Sequence, residues 1–223
     1  MEEYVVKILS IEPVTHDVRR FRFEKPKGYV FQPGQATDVS INTTTLKNEK
    51  RPFTFTCLNS VDYLEFTIKI YSDHSGITNE LGKLKPGAEL IIRDVWGDIA
   101  YKGHGVFIAG GAGITPFLAI LRDLESKNAV INNILLFANK TKKDIIHEKE
   151  LTQILGKSFI NILSGEKVAG YEHGFITREL LKTYLPANTK NYYLCGPPPM
   201  MEAILSQLEN MGIPGDLITM EKM

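Results

Sequence analysis

The sequence predicts a two-domain protein in which an antiparallel six-stranded β-barrel precedes a doubly wound α/β domain with a parallel sheet. In the first half, short segments rich in β-branched and aromatic residues alternate with turn residues, a rhythm typical of a small barrel. In the second half, apolar strands alternate with helical stretches, which is typical of a parallel sheet. The length of 223 residues accommodates two domains, each of about 100 residues. We expect them at residues 1–101 and 102–223, with the boundary in the polar turn of Tyr101 to Gly103.

Six strands are predicted in the first half from their alternating or β-branched sequence. They are Tyr4–Glu12, Val18–Glu24, Ala36–Ile41, Pro52–Cys57, Tyr63–Ile70 and Ala88–Val95. Proline and glycine turns separate most of them, and a polar stretch from Asn42 to Lys50 precedes the fourth. One helix, Gly76 to Lys83, is expected after the fifth strand.

The second half is predicted to alternate strands and helices. The strands are Gly105–Ala109, Asn133–Ala138, Phe159–Leu163, Asn191–Cys195 and Asp216–Met220, and the helices are Pro116–Lys127, Asp144–Leu155, Thr177–Leu185 and Pro198–Met211. Ligands of such sheets bind outside the carboxyl ends of the strands. We therefore look for a site in the turns that follow Ala109 and Leu194.

Composition excludes several classes of function. Lysine plus arginine and aspartate plus glutamate both number 26, so no general attraction to nucleic acid or anionic membranes follows. No apolar run approaches the roughly 20 residues of a membrane span, and the N-terminus does not have the pattern of a signal peptide, so we expect a cytoplasmic protein. The two cysteines, Cys57 and Cys195, are too far apart in sequence for a CxxC site or a four-cysteine cluster. The five histidines lack ligand spacing, so no metal site is predicted.

The glycines after Val106–Ala109 form the first candidate site. Gly110, Gly111 and Gly113 separate this strand from a helix that opens with Pro116. Such a turn lets backbone N–H groups at a helix N-terminus approach a phosphate, although similar turns also occur without a ligand. A second turn of this kind follows Leu194, where Cys195 and Gly196 precede three prolines. Cys195 is either a small buried side chain or part of a ligand-facing turn.

The barrel half contains two further candidates for phosphate binding. The motif Arg51-Pro52-Phe53-Thr54 combines a guanidinium with a nearby hydroxyl at the start of a strand. Lys69 and the helix start at Gly76, Ile77 and Thr78 offer an ammonium group, backbone N–H groups and a hydroxyl. The alternatives are a solvated arginine and an ordinary helix cap.

Five motifs occur in the order of a known family. They are F-Q-P-G-Q at 31–35, R-P-F-T at 51–54, G-I-T-N at 76–79, G-G-A-G-I-T-P at 110–116 and C-G-P-P-P-M at 195–200. Together they resemble the ferredoxin–NADP reductase-like flavoproteins over essentially the whole chain. The resemblance implies a flavin-binding barrel followed by a nicotinamide nucleotide-binding domain.

Each flavin-side motif residue takes its role from this resemblance. Arg51, with Pro52 in the same motif, resembles the arginine that contacts the flavin pyrophosphate, and Phe53 stands where the family usually has a ring-packing tyrosine. Thr54 occupies the Ser/Thr position that hydrogen-bonds near flavin N5. Gly76, Ile77 and Thr78 look like the second pyrophosphate turn. FAD is favoured over FMN.

On the nucleotide side, Gly111, Gly113 and Thr115, followed by Pro116, resemble the dinucleotide pyrophosphate turn, and Cys195 with Gly196 resembles the segment that meets the nicotinamide. Glu221 lies where some relatives place an acidic residue near the flavin, which implies a proton relay; the alternative is a solvated carboxylate of the tail. Thr54, Cys195 and Glu221 are thus the candidate catalytic residues. Met223 replaces the aromatic residue with which many relatives end.

The choice between NADH and NADPH depends on the loop from Phe137 to Asp144, which contains Asn139 and Lys140. Its lysines suit the 2′-phosphate of NADPH, yet similar loops resemble those of NADH-using relatives, and both nucleotides remain open.

The sequence as a whole predicts an FAD-dependent NAD(P)H oxidoreductase. It would transfer a hydride to flavin N5 and then single electrons to an external protein such as ferredoxin, flavodoxin or an oxygenase component, since any iron–sulfur centre must belong to a partner. The alternative is a nucleotide-responsive regulatory subunit that keeps the fold without turnover.

Overall fold

The computed structural model describes residues 2–73 and 75–221. Its first half is an antiparallel sheet with the strand order β4-β3-β6-β1-β2-β5, and β7 pairs with β3 beside this path. The elements are β1 (Glu3–Pro13), β2 (Val18–Glu24), β3 (Ala36–Ile41), β4 (Arg51–Thr54), β5 (Tyr63–Lys69), α1 (Ile77–Lys83), β6 (Glu89–Arg93) and β7 (Val95–Trp96). A bridge between Phe55 and Phe66 joins the two ends of the strand order, so the predicted six-stranded barrel is nearly closed.

Side-chain alternation explains why these strands curl around one core. Val6 and Ile8 of β1 and Phe21 and Phe23 of β2 point inward at every second position and are buried. Phe55 and Phe66 pack against each other inside the barrel, with ring centroids 5.2 Å apart and ring planes tilted by 32°. The aromatic residues of the sequence therefore fill the barrel interior.

The second half is a parallel sheet with the strand order β11-β10-β9-β8-β12-β13. Its elements are β8 (Val106–Gly110), α2 (Thr115–Ser126), β9 (Ile134–Asn139), α3 (Glu148–Leu155), β10 (Phe159–Leu163), β11 (Glu172–His173), α4 (Arg178–Tyr184), β12 (Tyr192–Cys195), α5 (Pro198–Asn210) and β13 (Ile218–Thr219). The chain winds outward from β8 in one direction through β9 and in the other through β12. The switch point of this doubly wound sheet is therefore the crevice between the ends of β8 and β12.

Several element boundaries differ from the sequence prediction. The helix expected from Asp144 begins only at Glu148, because Lys142–Asp144 forms a 3₁₀ turn, Ile145 is buried in extended backbone and His147 adopts a left-handed conformation. The strand expected at Asp216–Met220 is shortened to β13 by a preceding 3₁₀ turn. The two-residue strands β7 and β11 lack a sequence signal of useful length.

The two halves share an apolar seam. Val18 and Ile99 of the first half are buried in the same hydrophobic cluster as Phe107 and Phe117 of the second half. Gly34 lies so close to the carbonyl of Ile99 that an added Cβ would be 2.3 Å from its oxygen. The domain boundary near residue 101 stays a prediction. Within the described residues, no helix combines the length and apolar character that crossing a bilayer requires.

Candidate functional site

The main cleft lies at the carboxyl ends of the parallel strands and has a volume of about 1050 Å³. Gly110 and Gly111 line it at the end of β8, and Asn139 and Lys140 line it at the end of β9. The barrel half contributes a wall that consists of His16, Asp17 and Lys69. The cleft thus occupies the predicted switch point and is bounded by both halves of the chain.

The glycines of the β8 turn differ in what surrounds them. Gly111 has a φ of +51°, and a Cβ there would meet no described heavy atom within 4 Å. A Cβ on Gly113, in contrast, would lie 2.4 Å from the carbonyl oxygen of Cys195 and 2.7 Å from Cα of Gly196. Gly113 therefore allows the two turns to pack backbone against backbone, whereas Gly111 leaves open space toward the cleft.

Two features of the cleft fit a dinucleotide. The open space at Gly111 is a backbone cradle that a side chain would fill. Asn139 is only 8% exposed, yet neither its Oδ1 nor its Nδ2 has a hydrogen-bond partner among the described residues. Buried polar groups are normally satisfied, so an unpaired amide at the wall of a cleft is typical of a ligand site.

The loop after β9 is held by its own side chains. Asp144 accepts hydrogen bonds from the backbone N–H and the hydroxyl of Thr141, which forms a capping box. Lys140 and Lys143 line the cleft, while the ammonium of Lys142 lies 5.2 Å from the ring centroid of Tyr171. Two of the three loop lysines therefore face the cleft.

Cys195 ends β12 beside Gly113. Burial, followed by the nearby charge of Glu221, raises the pKa of its thiol to about 12. The thiol is therefore neutral near pH 7, which excludes a thiolate nucleophile and fits a compact side chain at the turn.

Glu221 is half-buried rather than a freely solvated carboxylate of the tail. Burial, followed by the charge of Asp98, raises the pKa of this carboxyl above its ordinary value. A carboxyl with a raised pKa whose charge is felt at Cys195 is suited to proton exchange. Met223 lies outside the described residues.

The motif of residues 51–54 forms β4 at one edge of the barrel sheet. Arg51 is exposed and donates a hydrogen bond from Nη1 to the carbonyl of Lys50 at 2.7 Å, and Pro52 is also exposed. The ring of Phe53 is half-buried, 5.8 Å from that of Phe66. The exposed guanidinium, which donates this hydrogen bond to a neighbouring carbonyl, is accessible to an anionic ligand.

Thr54 and Trp96 lie in register on the two sides of Ala36 in the barrel sheet. Thr54 pairs with Ala36 from one side and Trp96 pairs with Ala36 from the other. Residues in register project to the same face, so both side chains point outward from the barrel. Trp96 is 40% exposed and was not found by sequence reasoning, because a tryptophan in a two-residue strand carries no motif.

Other predicted residues are placed in supporting positions. Gly76 is extended with open space around its Cα, but Ile77 is buried in the barrel core. Thr78 follows in the first turn of α1. Lys69 lines the main cleft and forms an ion pair with Asp17 at 2.9 Å. It therefore belongs to the wall of the main cleft.

Thr115 and Pro116 stabilise the start of α2. The hydroxyl of Thr115 donates to the carbonyl of Ala112 at 3.0 Å, and Pro116 is buried in the first helical turn. Both side chains thus shape the turn itself.

The structure adds cleft residues that the sequence did not indicate. Phe175 is 79% exposed at the rim, and Arg178 lines the same side. His16 Nε2 lies 3.6 Å from Asp144 Oδ1 and 3.7 Å from Asp17 Oδ2, so a barrel histidine meets the nucleotide loop. A ring nitrogen of His16 and one carboxylate oxygen each of Asp17 and Asp144 lie within 4.8 Å of one another. Lys69 supplies a positive charge beside them through its ion pair with Asp17. Their sequence separation hides this group from motif analysis.

The fold combines an antiparallel barrel with a parallel sheet. The barrel carries an exposed arginine motif, and the sheet carries a glycine-lined cleft at its strand ends. These features define the class of two-domain flavin- and nicotinamide-dependent oxidoreductases. Family models agree with this class. The oxidoreductase FAD-binding domain matches residues 5–101, and the oxidoreductase NAD-binding domain matches residues 107–206.

The chain is also similar to individual curated proteins and solved structures of this class. It is 31% identical to NADH-cytochrome b5 reductase 2 of Mycosarcoma maydis, covering 96% of this chain and 67% of that protein. It is 29% identical to the reductase component of propane 2-monooxygenase from Rhodococcus jostii, covering 100% of this chain and 64% of the relative. The fold matches a ferredoxin NADP⁺ reductase from Neisseria gonorrhoeae, solved with FAD and NADP, with a TM-score of 0.83 and 20% identity over 95% of this chain and 92% of that one.

The chain belongs to the ferredoxin–NADP reductase-like family of flavoproteins, and its class is that of the NAD(P)H-dependent flavoprotein oxidoreductases. It spans about two thirds of the length of the two curated relatives named above.

Proposed function

We propose that this chain is a reductase that takes a hydride from NAD(P)H onto FAD and delivers single electrons to a separate acceptor protein. The observation that supports it most is the backbone packing of Gly113 on Cys195, which builds a crevice at the sheet switch point next to the barrel wall. The exposed guanidinium of Arg51 on β4 supports a flavin phosphate site in the barrel half.

Each residue has a role in binding or orienting. Arg51 neutralises phosphate charge, and the backbone at Gly111 approaches the dinucleotide without obstruction. Thr54 presents a hydroxyl on the outer face of the barrel, where it orients the ring of the cofactor. The neutral thiol of Cys195 fills the turn and excludes water from the reacting centre. When bound, FAD supplies the capacity to accept two electrons as hydride and to release them singly.

The nature of the acceptor follows from what the chain has and from its relatives. With only Cys57 and Cys195, the chain has no cysteine set for an iron–sulfur cluster. One relative is named as a cytochrome b5 reductase and another as the reductase component of a monooxygenase. We therefore expect a one-electron protein acceptor such as a small haem protein, ferredoxin, flavodoxin or oxygenase component.

Stopped-flow absorbance tests this function. The protein is reconstituted with FAD and mixed anaerobically with NADH or NADPH, and the flavin band at about 450 nm is followed. Rapid bleaching, followed by reoxidation on addition of a one-electron acceptor protein, is the expected result. A colourless protein that refuses FAD would exclude the reductase. Bound FAD that never bleaches with either nucleotide would favour the regulatory alternative.

A further inference from the structure

One buried guanidinium, that of Arg122 in α2, joins the two halves of the chain. Its Nη1 donates to the carbonyl of Thr56 at 2.5 Å and to Glu65 Oε1 at 2.8 Å, both in the barrel half. Its Nε and Nη2 donate to the two carboxylate oxygens of Glu150 in α3, at 2.5 and 2.9 Å. The arginine fork therefore holds three separate segments at once.

The segments of Thr56 and Glu150, together with the helix of Arg122 itself, lead directly to parts of the proposed site. Thr56 is two residues beyond Thr54, the hydroxyl on the outer face of the barrel. Arg122 itself lies in the helix that begins at Thr115, directly after the glycine turn. Glu150 lies in the first turns of α3, which follows the Lys140 to Asp144 loop. Arg122 is thus the polar junction between the flavin strand and both dinucleotide segments.

The junction is shielded mainly on the barrel side. The side chain of Arg122 is 14% exposed and that of Glu150 is 32% exposed, whereas Glu65 is 2% exposed. Glu65 also accepts hydrogen bonds from Arg22 Nε at 3.0 Å and from the hydroxyl of Thr56 at 3.0 Å. Burial opposes the ionised form of Glu150, but hydrogen bonds and charge from His147 and Arg122 outweigh it and hold the pKa of this carboxyl far below its ordinary value.

Such an arrangement contributes more to positioning than to stability. Desolvation offsets much of the attraction within a buried ion pair, so a network of this kind adds little net free energy of folding. A bidentate fork in a buried site fixes the distance and angle between the groups that it joins. Hydride transfer depends strongly on such geometry, since a displacement of about 1 Å costs on the order of 10²-fold in rate.

We propose that Arg122 is a positioning residue that sets the approach of the dinucleotide segments to the flavin strand for hydride transfer. The inference rests on the proposed function. It assigns to Arg122 no contact with either cofactor, and its effect passes through Thr56, Glu65 and Glu150.

The test separates binding from chemistry in the FAD-loaded protein. Arg122→Met keeps much of the side-chain length and removes the fork. In stopped flow, the limiting rate of flavin bleaching by NAD(P)H should fall by about 10- to 100-fold. The Kd of NAD(P)H and that of FAD should change by less than about threefold, because neither site loses a contacting residue. Arg122→Lys should restore only part of the rate, since one ammonium cannot replace the fork.

A second readout needs no turnover. The protein is reduced with dithionite and titrated with NAD⁺ or NADP⁺, and the long-wavelength charge-transfer absorbance is recorded at saturation. This absorbance depends on how the two rings overlap, so we expect a lower amplitude in Arg122→Met than in the wild type. Lys127→Met is the matched control: it removes a cation from the C-cap of the same helix, where Lys127 pairs with Asp123 at 2.6 Å. Its rate and amplitude should equal those of the wild type.

The outcomes distinguish the two proposals. If the wild type binds FAD and bleaches while folded Arg122→Met bleaches within twofold of it, the role of Arg122 is overturned and the function stands. A rise of more than about threefold in either Kd also overturns it, because the proposal gives Arg122 no contact with a cofactor. If the wild type never bleaches, the proposed function fails, and this inference fails with it. Should Arg122→Met not fold, Glu150→Gln carries the test, because it weakens the α3 arm and leaves the Glu65 arm intact; an unchanged rate and amplitude there would also refute the positioning role.

Discussion

The dinucleotide side and the flavin side of this protein are built in different ways. On the dinucleotide side, two turns pack backbone to backbone, with Gly113 against Cys195 and Gly196, and the end of β8 that leads into the first turn lines the cleft. On the flavin side, β4 presents exposed side chains, and the Arg51 guanidinium donates a hydrogen bond to the carbonyl of its neighbour Lys50. The first side depends on backbone shape and the second on side-chain charge. Substitutions should therefore have abrupt effects on one side and graded effects on the other.

The largest effect is expected at Gly113. In Gly113→Ala the new methyl would lie 2.4 Å from the Cys195 carbonyl oxygen, so the turns must separate at a cost of up to about 3 kcal/mol of stability. We expect a lower Tm and a loss of measurable NAD(P)H binding, while FAD is retained. Thermal denaturation and nucleotide titration measure the two effects. Gly215→Ala is the control, since a Cβ at Gly215 would meet no described atom within 4 Å; equal behaviour of both variants would refute the packing argument.

The next effect is at Arg51. Removing one charged phosphate contact in Arg51→Ala should weaken FAD binding by about 1.5–3 kcal/mol, or roughly 10- to 150-fold, without changing Tm in the flavin-free protein. Trp96 is the only tryptophan of the chain and shares a row with Thr54, so quenching of its fluorescence on FAD addition reports the Kd. Lys27→Ala removes a similar charge from an exposed turn of the barrel half and should leave the Kd unchanged. An unaltered Kd in Arg51→Ala would show that the flavin phosphates bind elsewhere.

A smaller effect concerns the nucleotide loop. Lys140→Ala should raise the Kd of NADPH by about 5- to 10-fold and leave that of NADH nearly constant, because an exposed ammonium contributes modestly to a phosphate contact. Lys142→Ala is the matched control, since Lys142 lies against the ring of Tyr171. Equal changes for NADH and NADPH in Lys140→Ala would remove this lysine from 2′-phosphate recognition.

The smallest effect is a pH dependence from Glu221. Burial and the charge of Asp98 raise its pKa in the folded state above 4.5, so the carboxyl favours folding at low pH and loses this contribution as the pH rises through the folded pKa. Glu221→Gln stays neutral. The Tm of the variant relative to the wild type should therefore increase from pH 4 to pH 8. A constant difference across this range would mean that Glu221 is as solvated when folded as when unfolded.

Much of the fold follows from local pattern. The period-2 segments of the barrel and the alternation of strands and helices after residue 105 predict both sheets, because each buries a regular apolar face. The start of α3 could not be predicted, since the apolar pair Ile145 and Ile146 fits a helical pattern. In the fold both are buried ahead of the helix, Ile145 in extended backbone.

Less of the candidate site than of the fold could be predicted from the sequence. The glycine turns were visible as motifs, but only the structure separates Gly111, which faces the cleft, from Gly113, which faces another turn. The pairing of Trp96 with Ala36 and the meeting of His16 with Asp144 join residues distant in sequence. A single sequence carries no signal for such contacts, because they depend on how the two halves pack.

The contact between Gly113 and Cys195 also bears on how this protein can be altered. The two turns are more than 80 residues apart in sequence. Each forms the surface against which the backbone of the other packs, so the conformation of one depends on the other. A loop transplanted from a relative to change nucleotide preference would have to bring both turns together. Exchange of one alone would place a foreign backbone where less than a methyl group of space remains.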